Sequence, residues 1–173
     1  MGRFLETERL YLRTMEAEDL PLLHELHSDP EVMKFIRPAE KTIDETRSTM
    51  ERIFRTNDYE NGIGVWMCHE KISDDFIGWF VMKPLENTPD IEIGYRLLKI
   101  HWGKGFATEM SRALSSHCFN ERKLPKITAA THPDNFASQH VLKKIGMRFV
   151  RMQQIQNINA CIYELMASER IMK

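Results

Sequence analysis

The chain has 173 residues, which fits one domain with a sizeable hydrophobic core. Its 24 basic and 25 acidic side chains give a formal net charge of -1, so charge offers no case for binding nucleic acid or an anionic membrane surface. The three cysteines form no C-x-x-C pair, and the N-terminus lacks the apolar segment of a signal peptide, which favours a cytoplasmic protein with reduced thiols.

The first half of the chain predicts two helices and an antiparallel meander. A short strand at residues 10–13 precedes a helix over residues 19–27, which Asp29-Pro30 ends. The sequence Thr-Ile-Asp-Glu at residues 42–45 is a capping box and begins a second helix. Three strands follow, joined by connections too short for crossovers, at residues 64–69, 76–85 and 91–98.

The second half predicts alternating helices and strands. One apolar stripe at helical spacing begins at Phe106, and another runs from Ala137 to Ile145, where Gly146 is a typical C-cap. Strands are predicted at residues 126–132, 149–155 and 161–166, with a turn at residues 157–159 before the last. The connection that ends at residue 126 is a crossover. We therefore predict an α/β fold, with a mixed, mostly antiparallel sheet of about seven strands flanked by about four helices, as a single domain over residues 1–173.

A glycine loop with the sequence HWGKGFAT, at residues 101–108, follows the third meander strand and begins a helix. The first amides of a helix have no intrahelical partner, and glycines remove the Cβ atoms that would block a phosphate, so the loop suits a pyrophosphate. A Walker A loop is excluded because Gly105 stands where Ser or Thr is needed, and Thr108 replaces the third glycine of a dinucleotide fingerprint. The sequence of the loop alone is also compatible with a tight glycine turn that binds no ligand.

A second motif follows the next strand and reads HPDNFASQHVLKKIGM over residues 132–147. Together with the loop, it resembles the GNAT superfamily of N-acetyltransferases, most closely the RimJ/RimL-type branch, which has a W-G-K-G-Y-A-T-like loop and an N-x-x-S-x-x-V-L-x-K-x-G-F-like helix. The opening TERLYLR at residues 7–13 and Ile93-Gly94-Tyr95 also resemble that branch. One departure is Ile100, where the wider superfamily has Gln or Arg.

The resemblance implies a GNAT-like fold in which two central parallel strands splay apart and hold acetyl-CoA, with no metal. The pyrophosphate would lie on the loop amides, and the pantetheine arm would pair with backbone at the end of the third meander strand. The implied acetyl-CoA contacts are Arg96, Leu97, Leu98, Gly103, Lys104, Gly105, Phe106, Ala107, Thr108, Asn135 and Ser138.

Two residues are catalytic candidates. Ser138 lies on the inward stripe of its helix and would protonate the thiolate leaving group, although its hydroxyl could instead bond the helix cap locally. The tyrosine that many GNAT members use seven residues after the asparagine is absent, because Leu142 stands there. Glu92 alternates with Ile91 and Ile93 and would act as a base or orient a water, although a surface glutamate fits the same pattern. The oxyanion donor would be a backbone N–H near Leu97.

The predicted function is transfer of an acetyl group from acetyl-CoA to a primary amine, either a protein N-terminus or a small molecule such as a polyamine or an aminoglycoside. A non-catalytic acyl-CoA-binding sensor or scaffold is the alternative, and a longer acyl donor stays open. The histidines at positions 24 and 27 have no evident third ligand, so no metal is expected. We expect no nucleic-acid or membrane partner, and either a monomer or a homodimer.

Overall fold

A computed structural model describes residues 2–155 and 157–169 of the chain. These stretches form eight strands and five α-helices, joined by short 3-10 turns. They divide into two compact units. One contains the residues up to Met82 together with Tyr95–Phe106, and the other contains Lys83–Gly94 together with the residues from Ala107 onward.

Four strands of the first unit pair antiparallel in chain order. They are β1 (Arg3–Glu6), β2 (Leu10–Thr14), β3 (Gly64–Glu70) and β4 (Phe76–Pro84), whose last two residues belong to the second unit. The antiparallel pairing of β3 with β4 confirms that part of the predicted meander. Strand β1 was not predicted from the sequence, because four residues carry too little alternation to indicate a strand.

Three helices of the first unit are α1 (Leu20–Ser28), α2 (Pro30–Met33) and α3 (Ile43–Thr56). The capping box is confirmed, because the Thr42 hydroxyl accepts a hydrogen bond from the Glu45 amide and the Glu45 carboxylate accepts one from the Thr42 amide. Pro30 does end α1, but it also begins α2, where the Asp29 carboxylate caps the Glu31 amide at 2.8 Å. The apolar faces of these elements share one buried cluster that includes Leu23, Leu26, Met50, Met67 and Leu98.

The second unit contains the predicted crossover. Strand β5 (Ile91–Leu97), whose last three residues belong to the first unit, is parallel to β6 (Lys126–Thr131) at the pair Glu92↔Thr128. The Thr128 hydroxyl also donates to the Ile91 carbonyl at 3.1 Å. The sheet order in this part is β5, β6, β8 (Ile158–Met166) and β7 (Arg148–Ile155), with both later pairs antiparallel. The other elements are α4 (Phe106–Asn120) and α5 (Phe136–Lys144).

The mixed α/β fold is therefore confirmed, with corrections in detail. The described part of the chain contains eight strands rather than about seven because of β1, and five α-helices rather than about four because of α2. The predicted turn at residues 157–159 is too wide, because Ile158 pairs with Ile155 and already belongs to β8. Ala137 is exposed rather than inward. No helix in the described part of the chain combines the length and the apolar character needed to cross a bilayer.

Candidate active site

The end of β5 is held in place by a close backbone approach at Gly78 of β4. A Cβ atom at Gly78 would lie 2.1 Å from the Arg96 carbonyl oxygen and 2.7 Å from the Leu97 Cα, so only glycine fits there. One residue later, the Leu98 amide donates to the Ile77 carbonyl at 3.0 Å. The sequence analysis missed Gly78, although a glycine inside a strand pattern is a signal for such an approach. The backbone at residues 96–98 therefore has a fixed position.

The chain then makes a 3-10 turn and enters the glycine loop. The His101 amide donates to the Leu98 carbonyl at 2.9 Å, and the Trp102 indole Nε1 donates to the Leu97 carbonyl, also at 2.9 Å. Both backbone polar groups of Leu98 thus already have partners within the first unit. Of the three predicted pantetheine contacts, Leu98 is therefore the least suited to pair with a ligand.

The glycine loop has the local geometry that the sequence predicted. Gly103 and Gly105 have φ angles of 76° and 83°, in the left-handed region that favours glycine. Both glycines and Lys104 are exposed, whereas the Phe106 side chain is buried and can offer only its backbone. Helix α4 begins directly at Phe106, so the amides of its first turn, including those of Ala107 and Thr108, have no earlier helical carbonyl to bond. Such a row of amides suits an anion.

Arg9 is a residue of this site that sequence reasoning missed. Its Nη1 donates to the Lys104 carbonyl at 3.0 Å, and its guanidinium lies 4.6 Å from the centre of the Phe106 ring. A Cβ atom on Gly105 would lie 3.4 Å from Arg9 Nη2. Arg9 therefore both supports the loop and adds a positive charge beside its exposed amides. Nothing in the local sequence indicates this contact, because Arg9 and Lys104 are 95 positions apart.

The start of α5 presents Asn135 and Ser138. The Asn135 side-chain oxygen accepts the Ser138 backbone amide at 3.1 Å, which caps the helix and leaves the Asn135 Nδ2 group without a partner in the described stretches. The Ser138 hydroxyl likewise bonds no group in residues 2–155 or 157–169, so the cap uses its amide rather than its hydroxyl. Gln139 fixes this turn by donating to the Pro133 carbonyl at 2.6 Å and accepting the Tyr163 hydroxyl at 3.1 Å.

Glu92 occupies an inner position rather than a surface one. Its side chain is only 13% exposed, and one carboxylate oxygen lies 3.1 Å from Lys83 Nζ. Burial raises the pKa of Glu92 above the ordinary glutamate value, and the nearby Lys83 only partly opposes this shift. A carboxyl group with a raised pKa is the kind that serves as a general base near neutral pH.

The predicted site residues fall into two sets. The first unit brings together Arg96, Leu97, Leu98 and the loop residues Gly103, Lys104, Gly105 and Phe106. The second unit contains Glu92, Ala107, Thr108, Asn135 and Ser138. Among the described residues, no group of three or more His, Cys, Asp or Glu side chains could hold a metal ion.

Comparison with known proteins identifies the family. The sequence model of the acetyltransferase (GNAT) domain matches residues 9–148. The chain is 35% identical to the uncharacterized protein YkkB of Bacillus subtilis, covering 92% of this chain and 94% of that protein. It is also 35% identical to the uncharacterized N-acetyltransferase p20 of Bacillus licheniformis, covering 83% and 82%.

A GNAT-family acetyltransferase structure from Bacillus anthracis superposes with a TM-score of 0.80 at 27% identity, covering 95% of this chain and 99% of that one. The match to the domain model extends over the glycine loop and the start of α5, the two motifs that suit coenzyme A. This chain therefore belongs to the GNAT acetyltransferase family, as an N-acetyltransferase that uses acetyl-CoA.

Proposed function

We propose that this protein is a RimJ/RimL-type enzyme that transfers the acetyl group of acetyl-CoA directly to a primary amine, on a protein N-terminus or a small molecule. The observation that carries the proposal is the glycine loop, in which two left-handed glycines lead straight into the first turn of α4. The amides of that turn and the Arg9 guanidinium both favour a diphosphate.

Cofactor binding requires three kinds of contact. The amides of residues 103–108 bind the diphosphate, with the Lys104 side chain and Arg9 as nearby positive charges. The backbone at Arg96 and Leu97 pairs with the pantetheine arm, and the Asn135 Nδ2 group donates to the same arm. The Ser138 hydroxyl lies one helical turn further along α5 and completes the predicted contacts.

The chemistry requires three groups. The Glu92 carboxylate accepts a proton from the amine, directly or through water, so that the nitrogen lone pair attacks the thioester carbon. A backbone amide near Leu97 stabilises the oxyanion as the carbon–nitrogen bond forms. The attacking nitrogen loses its surplus proton to solvent and the carbon–sulfur bond breaks, which leaves the amide. The Ser138 hydroxyl protonates the departing thiolate of coenzyme A and recovers a proton from solvent.

The proposal extends to the domain organisation, location, assembly state and partners of the protein. Both compact units form one acetyltransferase domain, which the family match across residues 9–148 supports. The protein acts in the cytoplasm as a monomer or homodimer, without a nucleic-acid, membrane or metal partner. Three buried cysteines and a nearly neutral net charge support this assignment.

A thiol-release assay tests the proposal. Purified protein is mixed with acetyl-CoA and a panel of amines that includes peptides with free N-termini, polyamines, aminoglycosides and amino acids. Release of coenzyme A that depends on the amine, together with the acetylated product by mass spectrometry, is the expected result. Tight binding of acetyl-CoA without acetylation of any amine would contradict transfer and favour a sensor or scaffold. Faster turnover with a longer acyl-CoA would revise the donor.

A further inference from the structure

Arg96 is a cation without a counter-ion among the residues that the structure describes. Its guanidinium lies 4.7 Å from the centre of the Trp79 ring, and its Nε atom is buried without a hydrogen-bond partner. Across residues 2–155 and 157–169, no carboxylate forms an ion pair with it. A buried or partly buried charge is normally paired, because removing it from water is unfavourable. The missing partner therefore needs an explanation.

Glu40 is the carboxylate whose charge acts on Arg96, but its oxygens already interact with other groups. Glu40 forms an ion pair with Arg37, accepts the Thr49 hydroxyl at 2.7 Å and lies 3.3 Å from His27 Nδ1. Burial and, to a smaller extent, the charge of Arg37 lower the pKa of Arg96 to about 9, although the charge of Glu40 opposes both. Arg96 thus stays charged at neutral pH, and the charge of Glu40 is already shared with Arg37.

The Trp79 ring beneath Arg96 is held by a buried hydrogen bond. Its indole Nε1 donates to His27 Nε2 at 3.2 Å, so the neutral imidazole carries its proton on Nδ1, towards Glu40. Burial, followed by the charge of Arg96, lowers the pKa of His27 to about 3, so His27 adds no positive charge at neutral pH. The series Glu40, His27, Trp79 therefore fixes the surface on which Arg96 lies.

The backbone of Arg96 is equally fixed by the contact with Gly78 and the neighbouring hydrogen bond to Ile77. A guanidinium whose face covers an indole keeps its edge for a ligand, and that edge presents parallel N–H donors that match a carboxylate. Because both the strand and the ring are held, little side-chain entropy is lost when an anion binds.

We infer that Arg96 is the acceptor-recognition residue of this enzyme, and that the acceptor amine also carries a carboxylate, which pairs with the Arg96 guanidinium over Trp79. The inference rests on the proposed acetyl transfer to an amine and narrows the acceptor to amino acids and related amino-carboxylates. Polyamines and aminoglycosides are disfavoured, because Arg96 and Arg37 both repel a polycation.

Matched acceptors test the inference on the wild-type protein. Each amino acid is compared with its carboxamide, which has the same side chain and amine but no negative charge. The carboxamide has the less basic amine, so at neutral pH a larger fraction of it is unprotonated. A preference for the carboxylate at that pH therefore does not come from a larger supply of free amine. We expect kcat/KM to be about 10- to 100-fold higher for the carboxylate, the range for a hydrogen bond between charged groups. Equal or higher kcat/KM for the carboxamide overturns the inference and leaves acetyl transfer intact.

Variants assign the preference to Arg96. Arg96→Gln should reduce the carboxylate-to-carboxamide ratio to about one, and Arg96→Lys should keep part of it as a point charge. Trp79→Phe keeps an aromatic face but loses the hydrogen bond to His27, and it should also lower the ratio. This variant provides the test if Arg96→Gln does not fold. Arg55→Gln, which removes an exposed arginine of α3, is the matched control and should retain the wild-type ratio. An unchanged ratio in Arg96→Gln contradicts the inference.

A binding measurement separates this inference from the proposed function. Calorimetry with protein saturated with coenzyme A should show the amino acid binding about 10- to 100-fold more tightly than its carboxamide, whether or not an amine is acetylated. A protein that binds the carboxylate selectively but acetylates nothing would refute acetyl transfer and keep the anion site. Failure to bind carboxylates selectively would refute the anion site, whatever the thiol-release assay gives.

Discussion

Replacing Arg9 tests how the glycine loop is held. The variant Arg9→Gln removes the hydrogen bond to the Lys104 carbonyl at 3.0 Å and the cation–π contact with Phe106 at 4.6 Å. Both contacts depend on the loop conformation in which Gly103 and Gly105 are left-handed. Their loss should therefore leave the fold intact and weaken acetyl-CoA binding, because the loop must then be ordered by the ligand itself.

The size of the effect follows from these two contacts. A typical hydrogen bond contributes about 0.5–1.5 kcal/mol net, and a cation–π contact at a partly exposed site contributes about 0.5–1 kcal/mol. Together they give about 1–2.5 kcal/mol, which is about a 5- to 70-fold increase in the Kd for acetyl-CoA. Arg9→Lys, which keeps the charge but not the planar fork, should lie between Arg9→Gln and wild type.

Isothermal calorimetry with acetyl-CoA measures this Kd, and circular dichroism checks the fold. Arg55→Gln serves again as the control for loss of one exposed positive charge in the first unit, and its Kd should equal that of wild type. If Arg9→Gln folds and binds acetyl-CoA with wild-type affinity, Arg9 does not support the loop and the reasoning is refuted.

Three further substitutions have definite expected results. Ser138→Ala should lower kcat by about 100-fold or more while the Kd for acetyl-CoA from calorimetry changes much less, and wild-type turnover would return Ser138 to a purely structural position in α5. In the wild-type pH profile, kcat/KM should fall as pH drops through the raised pKa of Glu92, because the base must be ionised, and Glu92→Gln should be slow and lack that acidic limb. An acidic limb that persists in Glu92→Gln would assign the base to another group. Gly78→Ala should lower the free energy of unfolding, measured with urea, by about 1–3 kcal/mol or more, since its Cβ would lie 2.1 Å from the Arg96 carbonyl oxygen. Wild-type stability in that variant would show that the approach of β5 to Gly78 is looser than described.

The parts of the fold that were predictable are those with local signals. The capping box at Thr42 and the glycine loop are each written in a few consecutive residues, and both have the expected conformation. The crossover between β5 and β6 follows from the length of α4 and is confirmed by their parallel pairing. Strand β1 escaped prediction because its order depends on distant contacts, such as the stacking of Phe4 on Trp66 with ring centres 4.5 Å apart.

The site was only partly predictable for the same reason. The roles of Asn135, Ser138 and Glu92 came from a family resemblance and from helix or strand periodicity, and they stay predictions. The contacts of Arg9 with the loop and of Arg96 with Trp79 join residues on different elements, so no spacing rule indicates them. The missing counter-ion of Arg96 is visible only when the surroundings of its guanidinium are known.

Backbone amide resonances, followed while acetyl-CoA is added, show whether the glycine loop binds the diphosphate. The amides of residues 103–108 should show the largest shifts, and acetylated pantetheine, which lacks the diphosphate, should leave them nearly unchanged. If acetyl-CoA shifts other amides and not these, or if acetylated pantetheine shifts them equally, the loop does not bind the diphosphate and the account is contradicted.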